Sequence, residues 1–242
     1  MIKIENVEVV GWEHAIRGMR NPMNSWDKSD SFICKGGYDF DDCKGHHEEC
    51  IRHEDFSEDV FCVGKNDYDL MKRLSKAGTD HRKFMRMIVV YADVTAPLYW
   101  WAECDTYKVG TVRNSCSKMH KIQYKEFTRE DFSFENVPEN YCWFLNEGDL
   151  IEDILMALND AREDFLETKD KKYWWQMIQL LPSSYNQRST VMFNYEVLAN
   201  MYHSRKTHKL DEWCDFCKWI ETLPYSELIT GGVDNASNNI TE

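Results

Sequence analysis

Asparagine and arginine side chains recur within a stretch of helical periodicity near the end of the chain. The apolar residues of segment 190–220 return every three or four positions, which predicts one long helix. These apolar positions include Val191, Leu198, Met201 and Tyr202. Asn194 and Arg205 fall on nearly the same face at about 100° per residue, with Asn200 in the same pattern. Because a guanidinium and a carboxamide are costly to bury without partners, we expect a polar, planar or anionic ligand to bind there.

The spacing of these residues also resembles a known family. Pro182, Asn194, Asn200, Arg205 and Trp213 are similar in order and spacing to the C-terminal helix of the flavin-dependent thymidylate synthases. In that family the asparagine pair contacts FAD and the arginine contacts the uracil of dUMP. The resemblance therefore implies that Asn194 and Asn200 bind a flavin and that Arg205 binds a uracil ring.

A second similarity to the same family lies upstream, from His81 to Pro97. The segment has the family's histidine, strand, Ala-Pro pair and helix start at the same spacing and without a gap. In the family the histidine and the residues just after it approach the flavin. The resemblance therefore implies that His81 and Lys83 contact FAD, and it extends over about residues 66–223.

The family's signature follows this helix and holds the phosphates of FAD and dUMP. It consists of Arg-His-Arg followed by Ser, Asn, a second Ser and Arg-Tyr. In register with the start of the signature, this chain has Thr106, Tyr107 and Lys108, followed by Thr111. If one inserted residue is allowed, Asn114 and Ser117 align with the later Asn and Ser of the signature. Lys108 keeps a cation and is implied to bind FAD. The residues expected to bind the nucleotide are Asn114, Ser117, Arg188 and Arg205, of which Ser117 and Arg205 are expected to be catalytic.

The resemblance implies a reaction as well as a fold. It predicts reductive methylation of dUMP, or of a related uracil nucleotide, with methylenetetrahydrofolate, FAD and NADPH, in a homotetramer with shared sites. The alternative is an altered homologue that binds or sequesters a nucleotide without turnover. Convergence of Lys108, Arg113 and Lys118 on one pocket would favour catalysis, since phosphates need cations.

Composition excludes some classes of partner. The chain has 242 residues, with 29 basic and 42 acidic residues and a net charge of −13. This charge disfavours sequence-independent binding to nucleic acid or to an anionic membrane. No apolar run is long enough to span a bilayer, and the first residues lack the order of a signal peptide. We therefore expect a cytoplasmic protein.

Nine cysteines are an odd number, and without a secretory signal they are expected to stay reduced. Cys43, His46, His47, Cys50 and His53 are ligand types that zinc favours, but their spacing matches no standard zinc motif. A solvated acidic insertion is the favoured interpretation, and no metal is expected. A structural role is also favoured for the Cys214 and Cys217 pair. A nucleophilic role for Cys104 or Cys116 is not expected, because the resembled family needs no enzyme thiolate.

Periodicity and capping residues predict the element order. Residues 1–10 are expected to form a strand and 14–20 a helix that ends at the Asn21-Pro22 turn. The segment 30–65 is expected to be an irregular insertion. A helix capped by Asn66 is expected to run to Ala77 and end at Gly78. A strand is expected over 84–94, followed by a helix over 96–106 with Thr95 as N-cap and Pro97 in its first turn. A polar connection is expected over 125–146, and two further helices over 149–167 and 171–180.

In the 149–167 helix Leu150, Ile154, Leu158 and Phe165 are expected to face inward. The fold class predicted is α+β: one helix-rich domain over residues 1–230 with a small antiparallel sheet. Residues 231–242 lack apolar periodicity and are expected to form a disordered tail.

Overall fold

A small antiparallel sheet lies at the centre of the protein. The structure is a computed structural model, and it describes residues 2–34, 60–138 and 149–231. The strands, in chain order, are β1 (Lys3–Val10), β2 (Phe32–Cys34), β3 (Val60–Cys62), β4 (Val89–Pro97), β5 (Val112–Ser115) and β6 (Asn186–Asn194). The main sheet has the strand order β1-β4-β6-β5, and β2 pairs separately with β3. All of these pairs are antiparallel.

Helices pack on one face of this sheet, and together with it they confirm the α+β class predicted from the sequence. They are α1 (Trp12–Arg20), α2 (Lys65–Lys76), α3 (Leu98–Cys104), α4 (Lys118–Lys121), α5 (Leu150–Thr168), α6 (Lys171–Leu180), α7 (Tyr195–Arg205), α8 (Asp211–Glu221) and α9 (Glu227–Thr230). Short 3-10 helices cover Asn21–Met23, Trp26–Lys28, Arg82–Met87 and Arg129–Asp131. The helix predicted over 171–180 is confirmed, and the one predicted over 149–167 begins and ends within one residue of α5.

One face of the sheet is buried against the helices. Alternate residues of β4 and β6 point into this core, as the two-residue period of a strand requires. The buried strand residues are Val90, Ala92, Val94, Ala96, Val191 and Phe193. Trp100, Trp101, Trp213 and Phe216 pack beneath them from α3 and α8. The main core is therefore formed by one sheet face and the aromatic faces of these two helices.

A second core lies between α5 and α6. Its fully or almost fully buried members on α5 are Ile151, Leu155, Leu158 and Ala161. Leu158 was predicted to face inward and does so, and Ile154 and Phe165 pack at the margin of this core. The centre of the buried stripe is thus shifted by one residue from the prediction, toward Ile151 and Leu155.

The long helix predicted over 190–220 is wrong. Its first part is β6, whose nine residues pair in register with β4 from Asn186 to Asn194. Gln187, Ser189, Val191 and Phe193 are all buried on one side, a period of two that competes with the helical period. The helix begins only after Asn194, and it is interrupted between Arg205 and Asp211.

The bounds predicted for the strand over 84–94 and for the helix over 96–106 are also wrong. A 3-10 helix occupies Arg82–Met87, and β4 starts only at Val89. Thr95 lies within β4 and Pro97 is the N-cap residue of α3, because pairing with β6 keeps the backbone extended as far as Pro97. The helix predicted over 96–106 is accordingly shortened to Leu98–Cys104.

The start of α2 is fixed by a residue distant in sequence. Asn66 does not cap this helix, since α2 already begins at Lys65. The carboxylate of Asp30 accepts hydrogen bonds from the backbone N–H groups of Asn66 and Asp67, at 2.9 and 3.1 Å. Gly78, just beyond the helix, has a φ of +100°, which is compatible with the predicted helix end.

The predicted insertion over 30–65 is described only at its two ends, which form the β2–β3 pair and therefore are not irregular. Cys43, His46, His47, Cys50 and His53 of the zinc hypothesis, and the predicted tail apart from Gly231, lie outside the described residues. Within residues 2–34, 60–138 and 149–231, no group of three potential metal ligands is found. In the same residues, no helix is both long and apolar enough to cross a membrane.

Candidate functional site

The turn after α3 contacts both ends of α7. At the first end, the side-chain amide of Asn194 donates a hydrogen bond to the carbonyl of Gly110 (3.4 Å). At the other end, Nε of Arg205 donates to the hydroxyl of Tyr107 (3.0 Å). The segment in register with the family signature therefore meets the terminal segment that carries Asn194 and Arg205. They meet through a strand, a helix N-cap and a helix end, and not through one helical face.

Arg205, at the end of α7, is held by side chains from α3 and from the segment after it. Its Nη1 donates to Oε2 of Glu103 (2.6 Å) and lies 2.9 Å from Nε2 of His208. The indole N–H of Trp213 donates to the same Glu103 oxygen (3.0 Å). The guanidinium also lies 4.9 Å from the ring of Trp213. Arg205 therefore has partners within the chain, and Glu103 reaches it from 102 residues away.

Nη2 of Arg205 is different from the rest of this guanidinium. Among the described residues, no acceptor is hydrogen-bonded to it. Arg205 is half-buried, with its side chain 19% exposed. Two oriented N–H groups thus remain available for a planar acceptor such as a carbonyl oxygen.

Arg113 forms a second arginine centre on β5. Its Nη1 donates to Asp105 (2.7 Å), Nε to the hydroxyl of Ser189 (2.9 Å), and Nη2 to the side-chain oxygen of Gln187 (2.7 Å). The guanidinium stacks on Trp101 at 3.7 Å from the ring centroid. The sequence analysis named Arg113 only among the three cations whose convergence would favour catalysis, and assigned it no ligand, although it precedes the predicted Asn114 by one residue.

Cys104 lies between these two arginine centres. Its neighbours Glu103 and Asp105 each hold one arginine, Arg205 and Arg113 respectively. Burial and the nearby Asp105 raise the pKa of the Cys104 thiol to about 12, against the opposing effect of the two guanidinium groups. The thiol is therefore protonated at neutral pH, as expected for a residue with no nucleophilic role.

Lys118 lies close to Arg113. Burial and the positive charge of Arg113 lower the pKa of the Lys118 ammonium group. Ser117 is the N-cap residue of α4, and its hydroxyl accepts from the backbone N–H of His120 (3.3 Å). Convergence of Lys108, Arg113 and Lys118 on one pocket would favour catalysis. Arg113 and Lys118 lie close together, whereas Lys108 is exposed in the turn before Gly110.

A third charged group surrounds the first turn of α7. Buried Glu196 pairs with both Arg86 and buried Arg82. Nη2 of Arg82 also donates to Oδ1 of Asn200 (3.1 Å), and Oδ1 of Asn194 accepts from the backbone N–H of Val197 (2.8 Å). Both asparagines predicted to bind FAD thus have partners within the chain.

The two arginines beside Glu196 were not identified from the sequence. A signal was present, because Arg82 and Arg86 are four residues apart directly after His81. His81 and Lys83 are exposed at the start of the same 3-10 helix. With two arginines and one carboxylate, this group carries a net positive charge next to a helix N-terminus, which favours an anion.

Asn114 and Arg188 lie on the opposite, outer face of the sheet. Arg188 is exposed and pairs with Asp93 (2.9 Å). Hydrogen bonds from Thr190, Asn6 and Arg188 lower the pKa of Asp93 to about 2. Adjacent residues of a strand face opposite sides, so Asn114 faces away from the side of the sheet that carries Arg113. Within one chain, the structure therefore does not bring Asn114 and Arg188 together with Arg205.

Comparison with known structures identifies the fold. The chain is similar to thymidylate synthase X (ThyX) from Helicobacter pylori, solved with FAD and dUMP, with a TM-score of 0.61 and 16% identity over 96% of this chain and 98% of that one. It is also similar to the UMP/dUMP methylase PolB from Streptomyces cacaoi, solved with 5-Br UMP, with a TM-score of 0.53 and 14% identity over 96% and 95%.

Comparison with protein-family models gives no match, and neither does comparison with curated proteins. The structural likeness covers nearly the whole of each chain, at identities that establish the fold. The protein therefore has the fold of the flavin-dependent thymidylate synthases, and the resemblance identified in the sequence is confirmed for the fold.

Proposed function

We propose that this protein is a flavin-dependent methylase of dUMP or of a related uracil nucleotide, with methylenetetrahydrofolate as the carbon donor and NADPH as the reductant. The observation that carries the proposal is the contact of the turn after α3 (residues 105–111) with both ends of α7. In this fold, the similar ThyX and PolB structures hold FAD with dUMP and a bromouridine nucleotide, respectively.

The nucleotide phosphate is assigned to Arg113, Lys118 and Ser117. Arg113 is fixed by three partners and by stacking on Trp101, so its charge is oriented before any ligand binds. Lys118 has no carboxylate partner among the described residues. A phosphate beside the two cations would relieve their mutual repulsion, and the Ser117 hydroxyl would add a donor.

The uracil ring is assigned to Arg205. Its free Nη2 group offers two N–H donors, which suit a uracil carbonyl oxygen. Glu103 and Tyr107 hold the guanidinium in one orientation, so little conformational entropy would be lost on binding. Arg205 would thus orient the ring that is methylated.

The flavin is assigned to the first turn of α7. Arg82, Arg86 and Glu196 together carry a net charge of +1. Exposed Lys108 lies in the turn that contacts Asn194 and adds a further positive charge. This donor set fits the diphosphate of FAD, because cations and a helix N-terminus both stabilise phosphate. When bound, the flavin supplies the redox chemistry of the reaction.

Self-association is part of the same proposal. Tyr91, Met192 and Val112 form one row across the outer face of the sheet, and Tyr91 and Val112 are 41% and 59% exposed. A homotetramer that covers this row would bring Asn114 and Arg188 toward another subunit. The cytoplasmic location expected from the sequence stays a prediction.

A second candidate function is nucleotide binding without turnover. It is favoured by the internal engagement of Asn194, Asn200 and most of Arg205. If these side chains keep their present partners, fewer donors remain for a flavin. The protein would then act as a sensor or a sequestering factor for a nucleotide.

Flavin retention and product formation test both functions. The purified protein would be incubated with FAD, desalted and examined for flavin absorbance, and dUMP or UMP affinity would be measured by calorimetry. Methylated nucleotide would be measured by chromatography after addition of NADPH and methylenetetrahydrofolate. Retained flavin with product supports the methylase, and nucleotide binding without product supports the second candidate. Absence of both flavin and nucleotide binding would contradict both functions.

Matched variants locate the nucleotide. We expect Arg205→Ala and Lys118→Ala each to weaken dUMP binding by about tenfold or more, since each removes a charged hydrogen-bond donor. Arg17→Ala, an exposed arginine on α1, is the control for loss of one positive charge. Equal affinity in the Arg205→Ala and Arg17→Ala variants would contradict the assigned site.

A further inference from the structure

A cleft beside α2 is lined by an excess of cations. Its volume is about 780 Å³, within the range of small-molecule sites. The basic residues that line it are Arg20, Lys28, Lys72 and Arg73. They belong to α1, the Trp26–Lys28 3-10 helix and α2, none of which contributes to the nucleotide site assigned above.

Arg20 is the buried centre of this cleft. It is only 4% exposed, and its Nε donates to Oδ1 of Asp67 at 2.5 Å. Nη1 donates to the carbonyl of Ser25 at 3.1 Å. No described residue accepts from Nη2, although Arg20 lines the cleft. A buried guanidinium with one unused nitrogen, Nη2, therefore lines the cleft.

The orientation of Arg20 is fixed by the buried carboxylate of Asp67. Oδ2 of Asp67 accepts hydrogen bonds from the hydroxyls of Ser29 (2.7 Å) and Ser31 (2.6 Å). Burial opposes ionisation of Asp67, but these hydroxyls and Arg20 lower its pKa overall. The ionised carboxylate thus holds the guanidinium in place from below.

The remaining charges of the cleft do not cancel. Lys72 pairs with Asp69 at 3.1 Å, as Arg20 does with Asp67. Lys28 and Arg73 have no carboxylate partner among the described residues. In a chain with a net charge of −13, two unpaired cations at one cleft form a local positive site.

The helix N-terminus does not account for this site. Asp30 already accepts from the first free N–H groups of α2, at Asn66 and Asp67. An anion in the cleft would therefore contact side chains. A phosphate monoester carries a charge of about −1.5 to −2 at neutral pH, close to the charge that Lys28 and Arg73 leave unpaired.

We propose that this cleft binds the phosphate group of a small molecule. The unused Nη2 group of Arg20 offers two N–H donors to phosphate oxygens, and Lys28 and Arg73 supply the balancing charge. The cleft is also lined by the apolar side chain of Leu70, the amide of Asn66 and the carboxylate of Asp69, which pairs with Lys72. Its volume leaves room for a nucleoside beside the phosphate. The phosphate is free inorganic phosphate or belongs to a nucleotide, and the chemistry recognised is the same.

Calorimetric titration of the full-length protein tests this site. The probes are inorganic phosphate and thymidine monophosphate, each added alone and each added after saturation with the other. The double variant Lys28→Ala/Arg73→Ala is expected to bind the preferred probe about tenfold more weakly or worse, since two charged contacts are lost. Lys76→Ala, an exposed lysine on the same helix that does not line the cleft, is expected to retain the affinity of the unmodified protein.

Lys118→Ala separates this cleft from the nucleotide site. Phosphate binding that survives Lys118→Ala but not Lys28→Ala/Arg73→Ala supports the proposal, and competition between the probes identifies the source of the phosphate. The opposite pattern, or no measurable binding of either probe, would overturn it. Since Lys28 and Arg73 are not buried, circular dichroism is expected to show that the double variant is folded. If the double variant is unfolded, the single variants Lys28→Ala and Arg73→Ala replace it in the same titrations.

Discussion

At the C-terminal end of α3, each of two arginines lies against a carboxylate from the same short segment of chain. Glu103 holds Arg205 and Asp105 holds Arg113. Beside α2, Arg20 has a carboxylate partner, whereas Lys28 and Arg73 have none within the part of the chain that the structure describes. The two ion pairs of the first region are neutral and oriented, whereas the second region is oriented only at its centre and keeps a positive charge.

This difference separates two ways of recognising a ligand. Arg205, which is paired in advance, has few donors left, and these donors point in one direction, which suits a neutral planar group. Cations without partners attract an anion over a longer distance but orient it less. The two regions are therefore expected to differ in how binding depends on salt and in how stability depends on their carboxylates.

The largest effect is expected for Asp67→Ala, because it removes the carboxylate beneath Arg20. Asp67 is fully buried and accepts from Arg20, Ser29 and Ser31. Loss of one partner of a buried ion pair costs about 3–5 kcal/mol of unfolding free energy. Urea denaturation measures this loss. Asp69→Ala on the same helix is the control, with an expected loss below about 1 kcal/mol; similar losses in both variants would show that burial of the carboxylate does not matter.

The next largest effect is expected for Glu103→Ala. The substitution leaves the half-buried guanidinium of Arg205 and the buried indole N–H of Trp213 without their shared acceptor. Groups left without partners in this way cost about 1–3 kcal/mol each, and the partial exposure of Arg205 favours a total of about 2 kcal/mol.

Glu103→Gln sharpens this second test. The amide oxygen can still accept from Trp213 or Arg205, so a smaller loss of unfolding free energy is expected than for Glu103→Ala. The affinity for phosphate at the cleft beside α2 should be the same in both variants. A change in that affinity would mean that the two regions are coupled, and the comparison drawn above would fail.

A smaller effect is expected for Arg113→Lys. Lysine can keep the charge next to Asp105, but it loses the planar contacts with Ser189, Gln187 and the ring of Trp101. The expected cost is about 1–2 kcal/mol of unfolding free energy, with weaker dUMP binding. Lys118→Arg, which preserves the neighbouring charge, is the control and is expected to keep both. Full dUMP affinity in Arg113→Lys would argue against an oriented phosphate contact.

The sequence was sufficient to predict the fold class, α6, the approximate extent of α5 and the proximity of the turn after α3 to the terminal segment. Local periodicity and the family spacing carry that information. It was not sufficient for β6, where the apolar positions fit periods of two and of three to four equally, and only pairing with β4 across nine residues decides between them.

The partners of the charged residues were beyond the same reasoning. Arg205 and Glu103 are 102 positions apart, and Arg82 and Asn200 are 118 positions apart. A polar residue in an apolar pattern shows that a partner is needed, but not whether that partner is a ligand or a distant side chain. The separation of Asn114 from Arg113 could have been predicted, because adjacent residues of a strand face opposite sides.

The smallest effect is expected in acid, and it depends on the same carboxylate as the largest. The pKa of Asp67 is lower in the folded protein than its ordinary value of 3.8, so the ionised form stabilises the folded state. That stabilisation is present above the unfolded pKa and is lost as the pH falls below about 4 toward the folded pKa. Asp93, whose pKa is about 2, contributes in the same direction from the outer face of the sheet. Unfolding free energies measured between about pH 6 and pH 3 should therefore fall less steeply in Asp67→Asn and in Asp93→Asn than in the unmodified protein. If neither variant changes the slope, the acid dependence arises elsewhere, and the carboxylate beneath Arg20 is not the ionised anchor on which the comparison rests.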